Sequence, residues 1–211
     1  MTYDPKIHHR RSIRLRGYDY SLPGAYYVTS CIQDHKCLLG EIVQGRMNPN
    51  DAGQIVDAVW RSIPSQFAST ELDKHVVMPN HFHGILRIVE TPTAHVGAPL
   101  MGAPITATRN EKGQARGLPL RPSLGAILGA FKSKTTDEYI RGVKEATWPR
   151  FSRKLWQRNL YEHIIRNDNE LNRIREYIRQ NPMRWACDRY NTERGIIMID
   201  GEGRAISWDE S

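Results

Sequence analysis

Residues 72–90, LDKHVVMPNHFHGILRIVE, decide the fold of this chain. The run is apolar and rich in β-branched residues, and the pair Pro79-Asn80 interrupts it, which predicts two strands joined by a tight turn. Alternate side chains of a strand point to the same face, so His81 and His83 should project side by side. Neutral imidazole is the commonest metal ligand, and this pair predicts half of a divalent metal site.

A His-x-His pair is by itself a weak motif in a chain with eight histidines. Two common kinds of metal site do not fit the surrounding sequence. A cupin-type site would place a carboxylate a few residues downstream, and the first one here is Glu90. An amidohydrolase-type site would need several more histidines, and only His95 and His163 follow. The pair therefore needs partners from another part of the chain.

Composition and charge narrow the class of protein. The 211 residues are 39% hydrophobic, and 30 Lys and Arg against 23 Asp and Glu give a net charge of +7 and a pI near 9.4. This length predicts a single domain over residues 1–211, and the charge favours a polyanionic partner. No apolar run is long enough for a membrane span or a signal peptide, which predicts a cytoplasmic protein without a membrane partner. Cys31, Cys37 and Cys187 are too scattered for a disulfide framework and are predicted to be reduced.

Three segments are predicted to lie outside the folded core. Residues 8–16, HHRRSIRLR, form a basic arm that either contacts phosphates or remains a solvated tail. Residues 91–122 contain five prolines with several glycines and alanines, which predicts a flexible insertion. Residues 186–211 are predicted to be an irregular tail.

The remaining segments alternate between strand and helix patterns. Apolar spacing and capping residues predict an α+β protein with a ferredoxin-like split βαβ sandwich. Its antiparallel sheet should carry helices on one face, with a C-terminal helix that bears a tyrosine. The predicted elements are a first strand over 25–33, a small hairpin over 38–47, a helix from Asn50 or Asp51 to about Ser62, the two strands of the opening stretch to Met78 and over 82–89, a helix capped by Ser123, a short strand over 151–157, and a last helix from Asn167 or Asp168 to Asn181.

The last predicted helix brings a tyrosine and an amide together. Tyr177 and Asn181 are one turn apart, so their side chains share a face that can point at the two histidines. Leu171, Ile174 and Ile178 form the separate stripe that would pack on the sheet. The alternative is that Tyr177 is a core aromatic and Asn181 only the polar residue before Pro182.

Four phrases of the chain resemble one family. They are VVMPNHFHG at 76–84, GAFKSK at 129–134, WQRNLYEHIIRN at 156–167 and YIRQNP at 177–182. Together they resemble the HUH single-tyrosine transposases of bacterial insertion sequences, and most of all the REP-associated tyrosine transposases. The resemblance implies a metal-dependent endonuclease and strand transferase that acts on single-stranded DNA at hairpin-containing, REP-like palindromes through a 5′-phosphotyrosyl intermediate.

The resemblance also implies roles for individual residues. Tyr177 would be the nucleophile, and His81, His83 and Asn181 would hold Mg²⁺ or Mn²⁺, with Glu162 or His163 as substitutes for Asn181. Relatives act as monomers or homodimers, so the oligomeric state stays open. The residues expected to bind the DNA backbone are Arg10, Arg11, Arg14, Arg16, Lys132, Lys134, Arg158 and Arg166.

Two other functions are compatible with parts of this pattern. One is a nucleic-acid hairpin-binding protein that has lost catalysis, which the full set of expected chemical residues disfavours. The other is a metal-dependent hydrolase of small molecules, which the basic charge disfavours.

Overall fold

The computed structural model describes residue 15 and residues 17–90 and 122–192. Three of the described helices begin where the sequence predicts them, because Asn50, Ser123 and Asn167 each accept a backbone N–H of the first turn with their side chains. The strands are β1 (Gly24–Cys31), β2 (Gly40–Val43), β3 (Arg46–Pro49), β4 (Thr70–Val77), β5 (His81–Ile88) and β6 (Tyr161–Ile165), and the α-helices are α1 (Asp51–Arg61), α2 (Ile63–Gln66), α3 (Leu124–Glu145) and α4 (Asp168–Gln180).

Four strands form the central antiparallel sheet in the order β4-β5-β1-β6. Helix α1 lies between β1 and β4 in the chain, and α3 lies between β5 and β6. This is the predicted α+β, split βαβ arrangement of a ferredoxin-like sandwich. The predicted small hairpin is β2 and β3, which pair with each other as a separate two-stranded sheet.

The two faces of the sheet carry different helices. On one face, α1 and α3 enclose the larger core, where the Trp60 ring lies 4.6 Å from Phe82 and 5.4 Å from Phe131. On the other face, Ile178 of α4 packs against Tyr27, Ile85 and Ile165. The tyrosine-bearing helix therefore covers the opposite face from α1 and α3. Since side chains alternate along β5, His81 and His83 share the α4 face with Ile85.

The last strand differs from the prediction. The segment 151–157 makes only the bridge between Ile32 and Trp156, whereas β6 is Tyr161–Ile165. The neighbours Leu155 and Trp156 are both buried in the same core, so they do not alternate between two faces as successive residues of a strand do. The Trp156 indole instead donates to Thr135 Oγ1 of α3 at 2.8 Å. Strand β1 also ends earlier than predicted, because a short 3-10 helix, Gln33–His35, follows it.

Several predictions from the sequence fall outside the described residues. These are the basic arm at 8–16, apart from Leu15, and the insertion at 91–122, apart from Pro122. The beginning of the predicted irregular tail is described and is folded. A 3-10 helix, Pro182–Cys187, follows α4, and Asp188 and Asn191 are buried. Among the described helices, none is both long enough and apolar enough to cross a membrane.

Candidate metal and nucleophile site

The two histidines lie together at the beginning of β5, directly after the Pro79-Asn80 turn. Both side chains are fully buried, and their ring centroids are 4.5 Å apart. The Nε2 atom of each ring is buried and has no hydrogen-bond partner among the residues that the structure describes. A buried polar atom without a partner is costly, so two such atoms side by side indicate a place where a ligand belongs.

Asn80 sets the tautomer of His81. Its Nδ2 donates to the carbonyl oxygens of His35 at 2.9 Å and Tyr190 at 2.7 Å, so its Oδ1 must be the atom that faces His81. A carbonyl oxygen only accepts, and the 2.9 Å contact is therefore His81 Nδ1–H donating to Asn80 Oδ1. The lone pair of His81 is left on Nε2, the atom without a partner.

Two hydroxyls of strand β1 contact His83. Its Nδ1 lies 2.8 Å from both the Tyr27 hydroxyl and Thr29 Oγ1, and hydroxyl oxygens can accept the Nδ1 proton. That tautomer also leaves the lone pair on Nε2. A ring nitrogen fixed by a neighbour while the other remains available is the usual arrangement of a metal-binding histidine.

Burial keeps both imidazoles neutral. It lowers the pKa of His81 to about 3 and the pKa of His83 well below its usual value, and in each case loss of hydration is the main cause. Neutral imidazole is the form that binds a metal ion.

Two oxygen-bearing side chains complete the cluster. The carboxylate of Asp188 lies with one oxygen 3.9 Å from His81 Nε2, and ligand atoms of His81, His83 and Asp188 are all within 4.8 Å of one another. Asn181, at the end of α4, is buried, and within the described part of the chain its Oδ1 has no hydrogen-bond partner. Two imidazole nitrogens with carboxylate and amide oxygens form a donor set that fits a divalent cation such as Mn²⁺ or Mg²⁺.

The two predicted substitutes for Asn181 do not join this cluster. Glu162 is opposite Val28, whose side chain lies in the core under α1 and α3, so it points away from the histidines. His163 is on the α4 face, but its Nε2 is engaged with Glu170 Oε1 at 2.7 Å.

Tyr177 lies beside the histidines on α4. Its ring centroid is 5.4 Å from that of His83 and 6.3 Å from that of Tyr27, and the side chain is 38% exposed. The phenol is therefore next to the donor set and still open to a substrate. Partial burial raises the pKa of Tyr177, with the Asp188 carboxylate adding to the effect and Asn181 opposing it. The phenol is protonated at neutral pH.

The position of α4 is held at two points. Leu171, Ile174 and Ile178 pack on the sheet, as the sequence predicts. Arg175 also makes a two-pronged ion pair with Asp73, with Nε–Oδ1 at 3.0 Å and Nη2–Oδ2 at 2.5 Å. Asp73 lies where the pairing of β4 with β5 shifts register.

Sequence reasoning missed several residues of this site. Asp188 and Tyr190 follow the helix, and nothing in their spacing indicates that the chain returns to the histidines. Tyr190 lies with its ring centroid 4.7 Å from His81, which makes it a neighbour of the site rather than a remote tyrosine. Asn80 could have been identified from the sequence, because it directly precedes the histidine pair. Tyr27 and Thr29 come close to His83 only because β1 pairs with β5.

The predicted DNA-binding residues have different environments. Lys134, Arg158 and Arg166 are exposed. The ammonium of Lys132 donates to the carbonyl of Gln157 at 2.8 Å, and burial lowers the pKa of Lys132 to about 8. The four arginines of the basic arm, Arg10, Arg11, Arg14 and Arg16, are outside the described residues.

The chain is 37% identical over 190 residues to an uncharacterized protein of Haemophilus influenzae, an alignment that spans 88% of this chain and 95% of the relative. This chain belongs to the same family. No protein-family model matches it.

Two solved structures show a weaker likeness. One is a REP-associated tyrosine transposase bound to a REP hairpin, with 17% identity, 81% of this chain and 73% of that chain covered, and a TM-score of 0.49. The other is a candidate transposase of Deinococcus radiodurans R1, with 17% identity and a TM-score of 0.40. This match covers 79% of this chain and 95% of that chain. Both TM-scores lie below 0.5, so neither likeness establishes a shared fold.

Proposed function

We propose that this chain is an HUH single-tyrosine transposase of the REP-associated type, which cuts and rejoins single-stranded DNA beside a hairpin. The observation that carries the proposal is the position of the Tyr177 phenol next to His81, His83 and Asn181, whose buried ligand atoms have no partner within the described structure. A half-exposed nucleophile beside an incomplete set of metal ligands suits phosphoryl transfer to an external strand.

In the proposed reaction the Tyr177 oxygen forms a bond to phosphorus and the bond from phosphorus to the 3′-oxygen breaks. The phenol loses its proton, and the leaving 3′-oxygen gains one, so no other reactant is consumed. The phosphodiester energy is kept in the phosphotyrosyl bond, which a second 3′-hydroxyl can attack to join new DNA. A divalent cation held by His81, His83 and an oxygen of Asn181 or Asp188 would supply Lewis-acid stabilisation of the charge on phosphate.

The residues around Tyr177 would set the protonation state and the position of the phenol for this attack. Because burial raises the pKa of Tyr177, the phenol is protonated in the free protein and loses its proton during the attack. The packing of Ile178 and the ion pair of Arg175 with Asp73 hold the helix, and with it the phenol, against the protein's own sheet. This supports a tyrosine that acts within its own subunit, as a monomer can.

The remaining parts of the proposal concern the whole chain. Residues 1–211 would form one cytoplasmic domain that binds single-stranded DNA with REP-like hairpins and takes part in DNA transposition and recombination. The basic arm and Lys132, Lys134, Arg158 and Arg166 would contact the DNA backbone, in agreement with the net charge of +7.

A cleavage assay tests this function. The purified protein is incubated with a hairpin oligonucleotide that has a single-stranded flank, in Mn²⁺ or in EDTA, and is then run on a denaturing gel. We expect a protein–DNA adduct and a shortened strand with Mn²⁺, and neither with EDTA. Hairpin binding without adduct or cleavage would favour the catalytically inactive alternative. Hydrolysis of a small phosphodiester without any action on DNA would favour the hydrolase.

A further inference from the structure

A basic groove lies between α3 and the segment 150–158, outside the histidine site. It has a volume of about 420 Å³, and four cations line it against one carboxylate, that of Asp137. An adjoining hollow of about 330 Å³ shares Ile140 and Phe151 with it and adds two more cations. The six cations are Lys132, Lys144, Arg150, Arg153, Lys154 and Arg158. We call the two hollows together the α3 groove.

Arg153 is held in the α3 groove by a strained turn. Its φ is 60°, in the left-handed region that glycine adopts easily and a residue with a Cβ does not. The backbone N–H of Lys154 donates to the carbonyl of Ser152 at 2.6 Å, which closes a three-residue γ-turn around Arg153. Strained residues of this kind concentrate at functional positions, and here the strained residue is a cation of the groove.

A series of side-chain contacts links the α3 groove to the candidate metal site. Gln157 lines the groove, and its backbone N–H donates to the carbonyl of Cys31 at the end of β1. The Gln157 side chain contacts His35 Nε2 at 3.1 Å, and the His35 ring stacks on Tyr190 at 5.7 Å. Tyr190 is the aromatic neighbour of His81. The contacts of Gln157, His35 and Tyr190 thus connect the groove to the candidate metal site around the end of β1.

We propose that the α3 groove binds the sugar-phosphate backbone of single-stranded DNA that flanks the cleaved phosphate. The cations provide a track of charge for successive phosphates, and the apolar surfaces of Phe151 and Ile140 lie among them. Surfaces that bind single-stranded nucleic acids combine cations, which contact the phosphates, with aromatic side chains, on which unpaired bases can stack. This assignment rests on the proposed function, which gives the position of the cleaved phosphate. Binding of DNA in the groove does not itself depend on catalysis.

A charge-matched pair of variants tests the groove. In the Tyr177→Phe background, which cannot cut, Arg153→Ala, Lys154→Ala and Arg158→Ala are combined. The control combines Arg46→Ala, Lys74→Ala and Arg173→Ala, three exposed cations that do not line the groove. Affinity for a hairpin oligonucleotide with a single-stranded flank is measured by fluorescence anisotropy over a range of salt concentrations.

We expect the groove variant to bind at least about tenfold more weakly than the control, with a slope of log affinity against log salt that is smaller by about 2, as three lost single-strand phosphate contacts predict. Equal affinities and slopes in the two triple variants would overturn the proposal. So would an equal loss for the bare hairpin without its flank, because that result assigns the groove to the duplex.

Arg153→Gly separates a binding role from a structural one. Glycine relieves the strain at φ 60°, so the variant should melt at a higher temperature and yet bind the flanked hairpin more weakly. A higher melting temperature with unchanged affinity would show that Arg153 does not contact DNA. If the wild-type protein forms no adduct while the groove variant still loses affinity, the proposed catalysis is wrong and the groove assignment stands.

Discussion

Asn80 fixes His81 through a single hydrogen bond of 2.9 Å, from His81 Nδ1–H to Asn80 Oδ1. The amide cannot turn over, because its Nδ2 already donates to the carbonyls of His35 and Tyr190. The residue directly before β5 therefore also connects the 3-10 helix Gln33–His35 and the segment after α4 to the candidate metal ligand. The ligand geometry of His81 depends on both of these segments.

Replacing Asn80 should loosen the metal site without removing a ligand. In Asn80→Ala the His81 ring loses its orienting acceptor, and we expect Mn²⁺ affinity to fall by about 10–100-fold, the usual effect of removing such a partner. Isothermal titration calorimetry of the purified protein measures this. Thr70→Ala, at a buried polar position elsewhere in the sheet, is the control for general destabilisation. Wild-type Mn²⁺ affinity in Asn80→Ala would contradict this account of His81.

The double variant His81→Ala, His83→Ala should abolish Mn²⁺ binding and DNA cleavage. Binding of the hairpin oligonucleotide should be largely kept, because the exposed cations that are expected to contact the DNA backbone remain in place. His163→Ala is the matched control, since this histidine is on the same face of the sheet but is paired with Glu170. Cleavage by the double variant would mean that the metal site is misassigned.

The candidate oxygen ligands are Asp188 and Asn181, and their contributions to Mn²⁺ affinity can be ranked. Carboxylates are stronger ligands for Mn²⁺ and Mg²⁺ than amides, and Asp188 already lies 3.9 Å from His81 Nε2. We expect Asp188→Ala to weaken Mn²⁺ binding by at least about tenfold and Asn181→Ala to weaken it less. Mn²⁺ titrations of both variants test this order. If only Asn181→Ala loses affinity, the amide is the third ligand and the carboxylate has another role.

The parts of this site that are predictable from sequence are the local ones. Strand alternation is enough to place His81 and His83 on one face of a strand. Helical spacing is enough to place Tyr177 and Asn181 on one face of a helix. Neither inference requires the overall fold. Asp188 reaches the histidines only because the chain turns through the 3-10 helix Pro182–Cys187, which no periodicity indicates.

The error in the last strand has a related cause. Residues 151–157 have the composition of a strand, but Leu155 and Trp156 pack beneath α3 instead of alternating between two faces. The sequence does not predict the true strand, β6, because Tyr161, Glu162 and His163 give this segment a polar pattern. Pairing with β1 determines its conformation, and this pairing is a tertiary interaction.

Lys132 should make stability depend on pH in the alkaline range. Its pKa is lowered from 10.5 to about 8 by burial, so between these values the unfolded chain binds more protons than the folded one. The free energy of unfolding of the wild type should therefore rise with pH across this window relative to that of Lys132→Met. Urea unfolding at several pH values measures the difference. Lys134→Met removes an exposed ammonium from the same helix, and the same pH trend in both variants would contradict the prediction.

Tyr177 is the residue on which the proposed chemistry depends, and two other tyrosines are close enough to compete. Tyr190 lies 4.7 Å from His81 and Tyr161 lies 6.1 Å from Tyr27, both measured between ring centroids. Tyr177 differs from them in its combination of an exposed phenol, contact with His83, and a helix anchored to the sheet by Ile178 and by the ion pair of Arg175.

Tyr177→Phe removes one oxygen and leaves the ring packing in place. We expect the denaturant-resistant adduct with single-stranded DNA to vanish and cleavage to fall by several orders of magnitude, as for other lost nucleophiles. The melting temperature and hairpin affinity should stay near those of the wild type, because the phenol is partly exposed. Tyr161→Phe and Tyr190→Phe should both still form the adduct. Peptide mapping of the wild-type adduct identifies the linked residue directly, and DNA found on Tyr190 or Tyr161 would transfer the nucleophilic role to that tyrosine.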